Sequence, residues 1–486
     1  MNGALMKASS RFAIAAALGL VVGVGSVRAA DLGGNCCADL EERIAELEAT
    51  TARKGNRKMS LTVTGQVHRS VIWYDDGHSS TTYYGLDNTN ASSRFIFTGS
   101  ARINPHVSMG FEIMIEIEAG GTSSKVNQFD EDGKLTAFIP NPGGAVGVPS
   151  FNQHNADAYF GDARRAAWWI EHKDLGRLTV GRYETAGVQA TIDLTGHLFL
   201  GASSSFILLN GGFFIRGPQG QYYATTWGNI GDPASASSGR TELVRYDSPS
   251  WHGFIYSASI AEAGDYWGTM LRYANEFNGV RIAGALGYER VRDIFTPGVV
   301  DPTAANFTGR RPDITAWGIA LSAMHVPTGL FVQGHYNTAD FGGQPIGAAS
   351  GYWGQGTLNK KDTAHWLIQA GISRNWFGPG NTSVYGEYGR ATDWGADIGG
   401  RNFALTTFTP VNGVTDTTLN VWGLGIAQNL DAAAAAVYLG YRHMEADIIC
   451  TGAGPVGSCA GTAGASPTKL NTEGINVIVM GARVLF

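Results

Sequence analysis

The chain has 486 residues, with 67 glycines, 12 Trp, 18 Tyr and 22 Phe, only 16% charged residues and a formal net charge of −6. Disordered chains are charge-rich and aromatic-poor, collagen needs glycine at every third position and nucleic-acid binders carry a basic balance, so all three classes are excluded. A polytopic helical membrane protein is excluded too, because its spans need about 20 consecutive apolar residues and only the N-terminus holds a long apolar run.

That run belongs to a secretory signal peptide at residues 1–29. Lys7 and Arg11 flank the apolar stretch from Phe12 to Val24, and small residues lead to Val27-Arg28-Ala29. This basic, apolar, small-residue order suits cleavage after Ala29. Removing Lys7, Arg11 and Arg28 and no acid moves the net charge from −6 to −9. All four cysteines lie beyond the cut, in a compartment where disulfides persist.

Residues 30–58 form the next unit. Leu40, Ile44, Leu47 and Thr51 recur at spacings of four, three and four, an a/d seam. Two heptads are too short for a stable helix alone. The segment is therefore a coiled-coil helix that needs a partner, most simply copies of itself, or else a frayed amphipathic linker. The adjacent Cys36 and Cys37 stand at its head, where they would link subunits.

From residue 59 onward the period becomes two. Val107, Met109, Phe111, Ile113 and Ile115 alternate with Ser108, Gly110, Glu112, Met114 and Glu116. Such strands carry one apolar and one wet face. Sixteen segments read this way, near 60–74, 92–103, 106–118, 158–173, 177–183, 241–247, 253–262, 267–276, 279–292, 313–326, 329–340, 363–376, 382–392, 417–428, 433–447 and 474–486. Short turns such as Asn104-Pro105, Asn278 and Pro327-Thr328 alternate with long loops at 75–91, 119–157, 184–240, 293–312, 341–362, 393–416 and 448–473. An even strand number, with short turns at one end and long loops at the other, marks an outer-membrane barrel. The predicted fold is all-β: a 16-stranded antiparallel transmembrane β-barrel over 59–486, behind a short periplasmic coiled-coil helix. Trp73-Tyr74, Trp267 and Trp376-Phe377 fall at strand ends, where a barrel keeps its aromatic girdles.

The chain also resembles a known family, the general porins of the alphaproteobacterial outer membrane. The residues that carry the likeness are Ala30-Asp31-Leu32, the stretch from Cys36 to Glu48, Arg53 to Lys58 leading into Leu61-Thr62-Val63-Thr64-Gly65-Gln66-Val67, the turn-strand from Leu175 to Arg182, and Phe486. The likeness implies a homotrimeric barrel with a water-filled pore narrowed by the third outer loop. It also implies that Phe486 is the sorting signal read by the barrel-assembly machinery.

Loop 184–240 is the longest connection and holds Phe199, Phe206, Leu208, Phe213 and Phe214. Its apolar content predicts packing inside the lumen, where it sets the constriction; a surface loop or a trimer contact is the alternative. Opposed charges at such a neck filter solutes. Arg94 and Arg102 share parity opposite Phe95 and Phe97, so both should face the lumen with Arg165, while Arg182 matches the residue entering the constriction in related porins. Glu112, Glu116, Glu184 and Asp193 are the candidate acidic partners. The mature charge of −9 predicts a weak cation preference. Cys450 and Cys459 flank an eight-residue glycine-rich stretch of the last outer loop and suit a disulfide.

No phosphate loop, HExxH or metal-ligand spacing occurs, so no enzyme activity, cofactor or metal is indicated, although a calcium site near Asp75-Asp76 stays open. The expected function is passive diffusion of ions and small hydrophilic solutes across the outer membrane. The expected surroundings are outer-membrane lipid and lipopolysaccharide, with peptidoglycan within reach of the N-terminal segment. A substrate-specific sugar or peptide channel and a structural, envelope-anchoring barrel are the alternatives.

Overall fold

Alternating side chains sort a pleated strand into two faces, and closing strands into a ring turns those faces into an inside and an outside. The computed structural model describes residues 59–117, 121–129, 163–188, 192–196, 210–231, 239–261, 264, 266–292, 313–340, 362–393, 408–409, 411–412, 414–452, 459–460 and 465–486. The predicted signal peptide and N-terminal helix, with Cys36 and Cys37, lie outside the described residues.

Sixteen strands make the ring. They are β1 (Ser60–Asp75), β2 (Arg94–Arg102), β3 (Val107–Glu116), β4 (Ala163–His172), β5 (Gly176–Glu184), β6 (Arg240–Asp247), β7 (Phe254–Ala261) and β8 (Tyr266–Phe277). There follow β9 (Val280–Arg292), β10 (Asp313–His325), β11 (Leu330–Asp340), β12 (Thr363–Arg374), β13 (Thr382–Thr392), β14 (Val414–Leu430), β15 (Ala435–Thr451) and β16 (Ile475–Leu485). All sixteen predicted segments are present, with ends shifted by a few residues. Each strand pairs antiparallel with the next, and the ring closes where β1 meets β16, from Gln66↔Leu485 to Asp75↔Asn476. At this seam the Gly65 N–H donates to the Phe486 carbonyl at 2.9 Å, and the Phe486 N–H donates back at 3.1 Å. A Cβ on Gly65 would meet the Phe486 ring at 2.5 Å and the Arg94 carbonyl oxygen at 2.5 Å, so only glycine fits.

The short connections have local causes. Asn278 and Gly279 carry φ of 49° and 77° between the paired Phe277 and Val280, a two-residue type I′ turn whose twist matches the strands. Gly176 at φ 96° opens β5 after the Asp174-Leu175 turn. The long loops add pieces that period-two reading did not separate. Residues Ser80–Asp87 fold back along the upper half of β1, replacing β2 there. Within 184–240 lie the strand pair Phe214–Arg216 and Tyr222–Thr226 and a short helix, Trp227–Gly231.

The two faces differ as the alternation predicts. Gln333, His335, Asn337 and Ala339 of β11 point inward and are buried, while Val332 on the opposite face is 50% exposed. Leu286, Leu321, Leu424 and Met480 are likewise 53–57% exposed on the outside. A ring of exposed aliphatic side chains is costly in water and suits a hydrocarbon solvent. Above it runs a continuous aromatic belt. Tyr288 pairs with Trp317, Tyr336 with Trp366 and Tyr388 with Trp422. Diagonal contacts at 5.2–5.5 Å join Trp267 to Tyr288, Trp317 to Tyr336, Trp366 to Tyr388 and Trp422 to Tyr441. The belt therefore spans β8 to β15. Trp376 and Phe377 are exposed in the turn after β12, as predicted, but Tyr74 is not a girdle residue: it is buried inside, 4.7 Å from Phe213.

Overpacking a tight site costs about 1–3 kcal/mol, so Gly65→Leu should destabilise the seam by that order. Gel mobility with and without heating, which separates folded from unfolded barrels, should then show unfolding at a lower temperature; an unchanged transition would refute the seam's importance.

Candidate functional site

Inward-facing residues of the ring meet two different surroundings. On the side of β7 to β16, chain from the third outer loop lies against them. The Ala186 N–H donates to Ser259 Oγ at 2.8 Å, Ser322 Oγ donates to the Ile192 carbonyl, and the Leu194 N–H reaches Gln333 Oε1 at 3.4 Å. Leu194 packs on Met324, Phe331 and Tyr385. These partners sit on β7, β10, β11 and β13, so residues 185–188 and 192–196 lie against the inner side of that wall. Further on, Phe213, Ile215, Trp227 and Ile230 are buried with Ile72, Leu86, Leu419 and Ile448. Phe213 and Phe214 of the predicted apolar set are thus buried inside, while Phe199, Phe206 and Leu208 lie outside the described residues.

The loop is fastened at its far end. Arg216 Nε donates to Asp76 Oδ2 at 2.9 Å and Nη2 donates to Ser79 Oγ at 2.9 Å. The guanidinium also lies 3.6 Å over the Tyr222 ring. Gln128 Nε2 donates to the Phe214 carbonyl at 2.8 Å, the Glu473 N–H donates to the Arg216 carbonyl at 2.8 Å, and Tyr223 Oη donates to the Asn471 carbonyl at 2.9 Å. Three other outer loops therefore hold the same hairpin. Burial alone would raise the Asp76 carboxyl, but the Arg216 hydrogen bond and charge, with the Ser79 and His78 N–H groups, outweigh it and hold the group below its ordinary 3.8. Asp76, considered for calcium, is thus engaged by an arginine.

The side from β2 to β8 is the charged one. Arg94 and Glu116 are register partners, and Arg164 pairs with Glu116 and donates to Ser92 Oγ at 3.0 Å. Arg165 bridges Glu112 at 2.6 Å and Glu184 at 2.5 Å and lies 5.1 Å over Tyr183. Asp247 takes Arg245 at 2.8 Å and Arg272 at 2.6 Å. Arg177 covers Trp169 at 4.5 Å. Arg94 and Arg177 form no ion pair with a described carboxylate; Arg94 donates to the Ser92 carbonyl at 3.0 Å instead.

Of the predicted neck residues, Arg94, Arg165, Glu112, Glu116 and Glu184 come together. The others do not join them. Arg102 pairs with Ser108 at the opposite end of β2 and is exposed. Asp193 sits on the loop near Leu194, its carboxylate taking the Thr195 N–H at 2.8 Å. Arg182 is opposite Ala166 and Glu242, on the outer face with exposed Trp168 and Val244, and donates to the Ala163 carbonyl at 2.9 Å. Parity counted through Tyr183, which meets Arg165 inside, puts Arg182 outside. Reading single residues missed Arg245 and Asp247, although their spacing of two around outward Tyr246 is a lumen signal. It also missed Arg442 and Glu387, a fully buried pair at 2.8 Å on β15 and β13. Cys450 is disulfide-bonded. Cys459 pairs in register with Val411, three residues before Val414, the register partner of Cys450.

Comparison with known proteins adds three findings. Residues 14–448 match the family model described as Gram-negative porin. No curated protein sequence matches the chain. Among solved structures, the chain is similar to in-vitro folded OmpT, an outer membrane protein of Vibrio cholerae, at 13% identity, covering 89% of this chain and 99% of that one with a TM-score of 0.46. It is also similar to Salmonella typhi OmpF in complex with daunomycin (11% identity, 88% and 98% covered, TM-score 0.43). A third is the outer membrane channel DcaP of Acinetobacter baumannii (11%, 90% and 100%, 0.44).

Breaking a buried ion pair by removing one partner costs about 3–5 kcal/mol. Asp76→Asn should therefore lower the thermal midpoint in detergent and increase open-channel noise, while Asp76→Asn with Arg216→Met should recover part of both. A carboxyl held low contributes stability above its ordinary value and loses it as the pH falls through the lowered one. Wild-type noise should then rise only in acid below about pH 3.8; an onset near neutral pH would contradict the pairing.

Proposed function

The chain belongs to the Gram-negative porin family, and from that premise we propose how its channel selects solutes and assembles. It is an outer-membrane β-barrel and a passive channel. The finer reading is a water-filled path for ions and small hydrophilic solutes, running along the charged wall of β2 to β8 and narrowed by loop residues 185–188, 192–196 and 210–231 on the other side. The observation that carries it is the asymmetry of the interior: apolar loop packed on one wall, charged side chains on the other. Glu112, Glu116, Glu184 and Asp247 are each matched by arginine, and Arg94 and Arg177 remain in excess. The local field along this wall then favours anions, opposite to the weak cation preference suggested by the chain's total charge.

The outer face supports a homotrimer. Among the described residues the stacked Trp–Tyr belt runs from β8 to β15. On β5 and β6 the outward positions instead carry Arg182 opposite Glu242. Ionised side chains are costly against lipid and suit a protein neighbour. Residues 30–58, read as a coiled coil, fit the same threefold arrangement on the periplasmic side. The signal peptide at 1–29, the Cys450–Cys459 bridge, Phe486 as assembly signal and contacts with lipopolysaccharide or peptidoglycan remain parts of this proposal, as does placement among the alphaproteobacterial porins.

Planar-bilayer recording of the purified protein tests both. Conductance should appear in steps of three, and the reversal potential in a KCl gradient should favour chloride. Arg94→Ala with Arg177→Ala should shift it towards potassium. Absence of conductance would sink the channel reading, and a potassium-favouring wild type would sink the selectivity reading alone. Saturating block by one sugar or peptide would replace free diffusion with a specific channel.

A further inference from the structure

The turn end of the barrel gathers three metal-ligating side chains from two separate turns. His106 lies in the turn between β2 and β3, while His172 ends β4 and Asp174 follows it. Their ligand atoms lie within 4.8 Å of one another. We propose that His106, His172 and Asp174 form a binding site for a divalent transition metal of the zinc type on the periplasmic rim.

The site is held by backbone, so its three ligands start close. Asn104 Oδ1 accepts the His106 N–H at 2.8 Å and the Val107 N–H at 2.9 Å, which fixes the first turn. The Lys173 N–H donates to the His106 carbonyl at 3.0 Å and joins that turn to the second. The Leu175 N–H donates to the His172 carbonyl at 3.2 Å and closes the second turn. The two imidazoles stack with ring centres 6.0 Å apart and planes 24° apart. His106 Nδ1 is 3.9 Å from Asp174 Oδ2.

Zinc bound tetrahedrally by nitrogen and oxygen at about 2.0–2.2 Å sets its ligands a little over 3 Å apart. The present spacing needs a closure of about 1 Å or somewhat more, within reach of rotation by side chains on an exposed rim. Two imidazoles and one carboxylate suit zinc and its neighbours in the first transition row, and disfavour magnesium and calcium, which take oxygen ligands. Three protein ligands leave a fourth position for water, as in open zinc sites. Two local contacts give way on binding: the Asp174 N–H now donates to His172 Nδ1 at 3.2 Å, and Lys173 Nζ lies 3.9 Å from Asp174 Oδ2. The cation would take over the carboxylate from that lysine. A bound ion would clip the β2–β3 and β4–β5 turns together.

Cobalt(II) is the spectroscopic probe for such a site. The full chain, purified in detergent and stripped with chelator, should take up about one cobalt ion per chain with visible d–d absorption, and zinc should displace it. His106→Gln and His172→Ala should each weaken uptake at least tenfold while leaving barrel gel mobility and conductance unchanged. Cys36→Ser with Cys37→Ser removes the thiols as competing ligands and should leave the signal in place. No saturable uptake, or undiminished uptake in the His106→Gln and His172→Ala double variant, would overturn the proposal.

Discussion

In hydrocarbon there is no water to accept an unpaired N–H or to donate to an unpaired carbonyl, so a strand crossing a bilayer must find both partners in other strands. Every further property of this molecule follows from meeting that condition with a ring. The sixteenth strand has to return to the first, which is why β1 and β16 pair over ten consecutive positions from Gln66↔Leu485 to Asp75↔Asn476. Closure in turn forces each side chain to face either lipid or lumen, with no third choice. The period of two along the chain is the imprint of that choice.

The lumen is then a problem of its own. A ring of this size leaves room that side chains from the wall alone do not fill. The chain spends parts of one long loop on it, lining β7 to β13 with residues 185–188 and 192–196 and packing Phe213, Ile215 and Trp227 beneath the outer loops. Across from it stands the wall of arginines and carboxylates. Their mutual pairing keeps several like charges tolerable at close range, and the buried Glu387–Arg442 pair on the far wall stays within its own partners, with Gln369 donating to Glu387 at 2.9 Å.

Much of this is legible in the chain itself, because local rules and the ring agree. Alternation marks all sixteen strands, Asn278-Gly279 marks its hairpin, and Phe213 in the long apolar loop is buried as its type suggests. Reading weakens where a position depends on the register between strands. Arg182 looks like its inward neighbours in sequence, yet one residue of parity sends it outside. Arg164 reaches Glu116 through the irregular register at Met114/Ile115, where simple alternation misleads. His106 and His172 are far apart in sequence and meet only because adjacent strands end side by side. Likewise, Arg216 finds Asp76 across the mouth of the barrel, and no spacing rule connects a loop to a turn so distant in the chain.

The seam also dictates an order of events. The edge of β1 between Gln66 and Asp75 has no lasting partner until β16 has been delivered. A polypeptide released half-made would present raw sheet edges ready to join other chains. Until its last strand arrives, the ring is therefore a sheet with two free edges, and its vulnerability to mispairing ends only with the final join.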